Sequence, residues 1–210
     1  MSPSESFRDS QSLRRRVARE AAFLIYTSQE MEYKQAKIRA AEILGVRTLP
    51  SNREVAEELD VIAEELEGES RLERLLRMRR EALEVMQCLE LYNPRLIGSV
   101  WRGTIHRNSD IDIVIFSQSP KEAARRLQDK GFHISDMEEV VISKRGNKQS
   151  SFHVSISLPS GDKVEIIIRS PDEERIVERC EIYGDIIKGL NLDQLKDLLE
   201  KDPYKRFIPE

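Results

Sequence analysis

The sequence predicts an α+β chain in two parts, an all-helical first part followed by a segment in which short strands alternate with helices. Three observations carry that prediction. From Ser12 to Leu44 no Gly or Pro interrupts a seven-residue recurrence of Val17, Leu24, Met31 and Ile38. The pattern changes abruptly at Asn93-Pro94. Beyond that point Asp110-Ile111-Asp112-Ile113-Val114-Ile115-Phe116 alternates with the period of a strand before ending in apolar residues.

Each element has its own signals. Residues 1–10 are Ser-rich and expected to form a disordered tail, residues 11–92 a helical domain, and residues 93–210 the mixed part. Leu13, Ala21 and Ile25 widen the first stripe into one long amphipathic helix or two nearly continuous ones, stopped by Gly45. Ser51-Asn52-Arg53-Glu54 is a capping box, and the helix it opens carries Val55, Leu59, Ile62 and Leu66 before Gly68. A third helix, Glu69 to Tyr92, carries Leu72, Leu75, Leu76, Leu83, Met86 and Leu89. Short connections favour antiparallel packing of these helices. In the second part, strands are expected at Leu96-Ile97, Asp110–Phe116, Val140–Ser143, Phe152–Leu158 and Lys163–Arg169. Pro159-Ser160-Gly161-Asp162 makes the last two a hairpin. Helices are expected at Ser119–Lys130, from Ser170-Pro171-Asp172-Glu173, and at Asn191–Glu200.

Composition narrows the function classes. Charged residues make up 34% of the chain, above the roughly 25% usual for soluble proteins, which suggests long solvated helices. The net charge of −4 argues against a protein that coats nucleic acid, so any nucleotide must be met by a local basic patch. Cys88 and Cys180 show no paired spacing, which fits a reducing compartment. No apolar run is long enough to span a membrane, and the first residues are polar, so a cytoplasmic protein without a membrane partner is expected.

The chemistry concentrates around Asp110 and Asp112. They share one strand face while Ile111, Ile113 and Ile115 share the other, and neighbouring carboxylates repel unless a cation lies between them. Glu165 stands alone in the apolar run Val164-Glu165-Ile166-Ile167-Ile168, and it becomes reasonable there if it completes a three-carboxylate site. Hard oxygen ligands favour Mg²⁺ or Mn²⁺. Upstream, Gly98 allows close backbone approach and Ser99 offers a hydroxyl and an amide, with Arg102 and Arg107 adding positive charge. A phosphate end beside a metal-binding carboxylate pair implies a nucleotide site.

Gly98-Ser99, Val100-Trp101-Arg102-Gly103-Thr104 and Ser109-Asp110-Ile111-Asp112 together resemble the signature of the DNA polymerase beta-like nucleotidyltransferase superfamily, small prokaryotic type. The resemblance implies a mixed-sheet, palm-like domain over residues 93–190, preceded here by the helical bundle. It implies nucleotide contacts from Gly98, Ser99, Arg102 and Ser109, and metal ligation by Asp110 and Asp112. Glu165 would take the third position, commonly Asp in this family, with Glu139 as the alternative. The implied reaction moves a nucleoside monophosphate from an NTP to a hydroxyl acceptor and releases pyrophosphate. A small-molecule or protein acceptor fits the net charge better than RNA. Rival readings are a catalytically silent nucleotide- or partner-binding module, a toxin–antitoxin-type enzyme that modifies a partner protein, and a homodimer joined through the helical domain. Arg102 could instead tie its turn to a carboxylate, and Trp101 could stack on a base or pack under the turn. His106, His133 and His153 show no metal-ligand spacing, and Lys144-Arg145-Lys148 reads as a solvated hairpin tip.

Overall fold

The computed structural model describes the backbone of residues 3–144 and 147–209 and the side chains of 11–141 and 150–209. The basic group Lys144-Arg145-Lys148 lies outside the described side chains.

Helices fill the first part: α1 (Pro3–Tyr26), α2 (Tyr33–Ile43), α3 (Asn52–Glu67) and α4 (Glu69–Cys88). Helix α1 includes residues 3–10, where a disordered tail was expected. The stretch from 12 to 44 is two helices, because the chain turns at Thr27-Ser28. The Thr27 hydroxyl donates to the Phe23 carbonyl at 2.7 Å, and Ser28 adopts a φ of 57°. The seven-residue stripe is broken there. Val17 and Leu24 are buried inside the bundle, whereas Met31 is 80% exposed in the turn. The Ser51 capping box forms as expected, with the Glu54 carboxylate accepting from the Ser51 amide at 2.7 Å. The Arg14 fork grips the same carboxylate at 2.6 and 2.8 Å and holds it down to about 2, against desolvation.

The expected three-helix grouping does not hold. Val17, Ala21, Leu24, Ala36, Ala40, Val55, Leu59 and Ile62 form one apolar core from α1, α2 and α3. At Gly68, with φ of 54°, the chain turns into α4, and Leu75, Met78, Ala82, Val85, Met86 and Leu89 join a second core with the strands. The two cores therefore divide at Gly68 rather than near residue 92. Apolar residues at helical spacing show that a helix packs, but not against what.

The sheet has five strands in the order β1-β2-β5-β4-β3: β1 (Arg95–Ile97), β2 (Ile111–Phe116), β3 (Ile134–Lys144), β4 (Asn147–Ser157) and β5 (Lys163–Arg169). Strands β2 and β5 are parallel and every other pair is antiparallel, so the sheet is mixed. One face is apolar and covered: Ile111, Ile113, Ile115, Val154, Ile156, Val164, Ile166 and Ile168 are buried against a layer that includes α4, α6 (Pro120–Asp129) and α7 (Leu192–Lys201). The strands expected at 140–143 and 152–158 are longer than their apolar runs. The helix expected from Ser170 is only a 3₁₀ turn, Pro171–Arg175, and Ser170 makes no side-chain cap. The chain then runs as a strap over 178–187, closed by Cys180 N–H to the Asp185 carbonyl at 2.8 Å and Ile187 N–H to the Glu178 carbonyl at 2.9 Å. Among the described residues no helix is long and apolar enough to cross a membrane.

Candidate active site

Strand register places the candidate carboxylates on the face of the sheet opposite the main apolar core. Ile97 pairs with Asp112, Asp112 with Glu165, and Glu165 with Ser155, so these four residues form one row across β1, β2, β5 and β4. Asp110 precedes the row by one pleat. Glu139 lies on β3, separated from β2 by β5 and β4, and accepts from the Ser150 hydroxyl at 2.6 Å. Topology thus excludes Glu139 from the site and leaves Glu165 beside Asp112.

Between β1 and β2 stands a five-residue helix, α5 (Gly98–Arg102). Gly98 begins it with a φ of 70°, and a Cβ built there would lie 1.9 Å from Asp112 Oδ2. Only glycine fits, since any other side chain would displace the carboxylate. Gly103 ends α5 with a φ of 73°, and a Cβ there would press on Arg79, Arg206 and the Lys205 carbonyl. The Gly-Ser and Arg-Gly pieces of the motif are therefore two close approaches, one to the carboxylate and one to the C-terminal tail.

Burial and like charge act together on Asp112 and Asp110. The Asp112 carboxyl is pushed up to about 7, chiefly by loss of water and then by Glu165 and Asp110. Asp110 is also raised, first by desolvation, with Lys163 opposing and Glu165 adding to the shift. Among the described residues no three His, Cys, Asp or Glu side chains converge into a finished ligand group. Glu165 instead turns Oε1 toward His153 Nδ1 at 2.7 Å, leaving its second oxygen. Neighbouring carboxylates with raised pKa values and hard oxygen donors are the chemistry a divalent cation neutralises, so these residues fit such an ion.

A nucleotidyltransferase-domain family model matches residues 80–197, more than half of the 210-residue chain. The chain belongs to the nucleotidyltransferase-domain family. Comparison with curated proteins found no match. Among solved structures, it is similar to a cytoplasmic RNA terminal U-transferase, with 17% identity, 44% of this chain and 28% of that one covered, and a TM-score of 0.32. It is also similar to the Cid1 poly(U) polymerase in a MgATP-bound form, with 18% identity, 45% and 32% coverage, and a TM-score of 0.31. The chain spans less than a third of the length of either.

The other residues expected at the nucleotide are engaged within the fold. Arg102 is buried, donates to the Phe207 carbonyl at 2.9 Å and to Asp185 Oδ1 at 2.7 Å, and lies over the Trp101 and Tyr183 rings. It ties its turn to a carboxylate. Trp101 packs under that turn against Phe207, with ring centroids 6.2 Å apart. Ser109 is buried and its hydroxyl accepts from the His106 amide at 2.9 Å, so it shapes the loop before β2. Gly98 and Ser99 line a largely apolar cavity of about 220 Å³, walled also by Tyr33 and Leu59 of the bundle and Tyr183 of the strap.

Sequence reasoning missed what holds this loop. Arg71 Nε donates to the Ile105 carbonyl at 2.7 Å. Arg74 donates to the His106 and Ser109 carbonyls at 2.8 and 2.9 Å and pairs with Asp162. Arg79, fully buried, donates to the carbonyls of Val100, Trp101, Pro203 and Lys205. Three arginines of α4 thus replace the backbone partners that an irregular loop and a short helix cannot supply themselves. The charge surplus read as solvated helix surface includes these buried donors. Their three-to-five-residue spacing along one helix was the available signal.

Proposed function

We propose that this chain is a metal-dependent nucleotidyltransferase that moves a nucleoside monophosphate from an NTP to a hydroxyl and releases pyrophosphate. The observation that carries the reading is the register of Asp112 with Glu165, together with a glycine at 98 whose missing Cβ makes room for Asp112 Oδ2. Asp110, Asp112 and Glu165 would hold Mg²⁺ or Mn²⁺, which supplies charge for lowering the pKa of the attacking hydroxyl and neutralising the leaving pyrophosphate. Gly98 and Ser99 would meet the phosphates. Arg102 and Ser109 contribute by keeping α5 and its loop in place. Alignment of the two reactants then accounts for much of the rate. A small molecule or a protein side chain is the favoured acceptor class, in keeping with the net charge of −4.

One test is label transfer from each of the four alpha-labelled NTPs, with Mg²⁺ or Mn²⁺, into separate pools of RNA, protein and small metabolites. Label should enter one pool with the wild-type chain and none with an Asp110→Asn/Asp112→Asn double variant. A second reading is a silent nucleotide-binding module. Nucleotide binding without transfer to any pool would establish that reading instead.

A further inference from the structure

Three polar side chains on the sheet face opposite the main apolar core form a hydrogen-bonded chain outside the Gly98–Asp112 motif. Ser151 Oγ lies 3.0 Å from His153 Nε2, and His153 Nδ1 lies 2.7 Å from Glu165 Oε1. Ser151 and His153 are two residues apart on β4 and share a face with Ser155, which pairs with Glu165 on β5. His153 therefore reaches Glu165 diagonally across the strand pair, on the side away from Asp112.

We infer that His153 is a positioning residue for the third carboxylate, and that Ser151 fixes the imidazole in the orientation this requires. The inference rests on the metal-site reading above. A glutamate has one more rotatable bond than the aspartate common at this place in the family, so its carboxylate is harder to aim. The Ser151 hydroxyl donates to Nε2, which leaves Nδ1 as the protonated nitrogen, and Nδ1–H donates to Oε1. With Oε1 held, Oε2 is left for a cation shared with Asp112. The arrangement resembles the outer hydrogen bonds that orient ligands in other metal sites, except that here the histidine holds and the carboxylate ligates. The half-buried His153 ring supports this role: its side chain is 19% exposed, against 40% for Glu165, so the holder is better fixed than what it holds.

The test is Mn²⁺ titration of the full chain by electron paramagnetic resonance, with transfer kinetics alongside. His153→Ala should weaken Mn²⁺ binding by about tenfold or more. It should raise the Mn²⁺ concentration for half-maximal transfer without changing KM for the NTP. His153→Asn, whose amide nitrogen falls where Nδ1 lies, should restore most of the affinity, and His153→Gln, whose nitrogen falls nearer Nε2, should not. Ser151→Ala should give a smaller loss in the same direction. If the alanine variant does not fold, the Asn and Gln variants decide, and equal binding by those two overturns the inference. Wild-type affinity in His153→Ala, with affinity lost in Glu165→Gln, overturns it while leaving the metal site standing. Mn²⁺ binding unchanged in both Asp112→Asn and Glu165→Gln removes the metal site itself, and the inference with it.

Discussion

The two faces of β2 differ by one residue of phase and by almost everything else. Ile111, Ile113 and Ile115 are wholly buried in the main apolar core, while Asp110 and Asp112 lie on the opposite side with Glu165. One face lowers the free energy of the fold, and the other raises it by setting like charges side by side. Because the strand period is two, a single six-residue segment does both without either set intruding on the other. The comparison shows where stability and chemistry separate in this molecule: substitutions on the apolar side should report stability alone, and those on the polar side should set activity against stability.

The largest effect should come from the polar face. Asp112→Asn should cut label transfer by at least about a hundredfold, comparable to losing one preorganised charge contact. The same change should raise the melting temperature of the metal-free protein at pH 8. The Asp112 carboxyl is raised to about 7, so its ionised form weakens the fold as pH climbs through that value, and an amide removes the effect. On the apolar face, Ile113→Ala should cost about 2–5 kcal/mol in urea unfolding, while the folded fraction keeps its specific activity. A variant that lost activity in proportion beyond its unfolding would break the separation.

The loop joining the two functions should carry a pH signature. His106 is held down to about 4 by burial and then by Arg71 and Arg74, and its Nδ1 accepts from the Asn108 amide at 3.3 Å. The stability tied to the neutral ring is present above pH 6.5 and is lost as pH falls toward 4, by roughly 3 kcal/mol. Unfolding measured across that range should show the slope, and His106→Gln should flatten it. The smallest effect is expected far from the sheet. Glu54→Gln should cost no more than about 1 kcal/mol, since its partner Arg14 is 41% exposed, and should leave transfer unchanged.

Much of this face was legible in the sequence. The Asp-Ile-Asp alternation predicts which side chains share a face, and the Gly-Ser pair marks a close approach. Neither names its partner. The choice between Glu165 and Glu139 waited on strand order, because both sit in extended segments and only topology sets one beside Asp112. His153 was passed over for the same reason, its contact being diagonal across two strands. The arginines of α4 were misread because a charged helix residue looks alike in sequence whether it meets water or a carbonyl. The split of the first long helix falls at one threonine hydroxyl and one residue in a left-handed conformation, local features that a run of good helix formers hides in the sequence.

The tail that closes over α5 imposes an order on synthesis. Arg102 and Phe207 exchange two backbone-directed hydrogen bonds across 105 residues, and Arg79 links the carbonyls of Pro203 and Lys205 to those of Val100 and Trp101. A nascent chain can display the Gly98–Asp112 motif long before it can brace it. Until the residues around Phe207 have left the ribosome, α5 lacks its outer wall, and the carboxylate row faces a helix that has not yet been fixed in place.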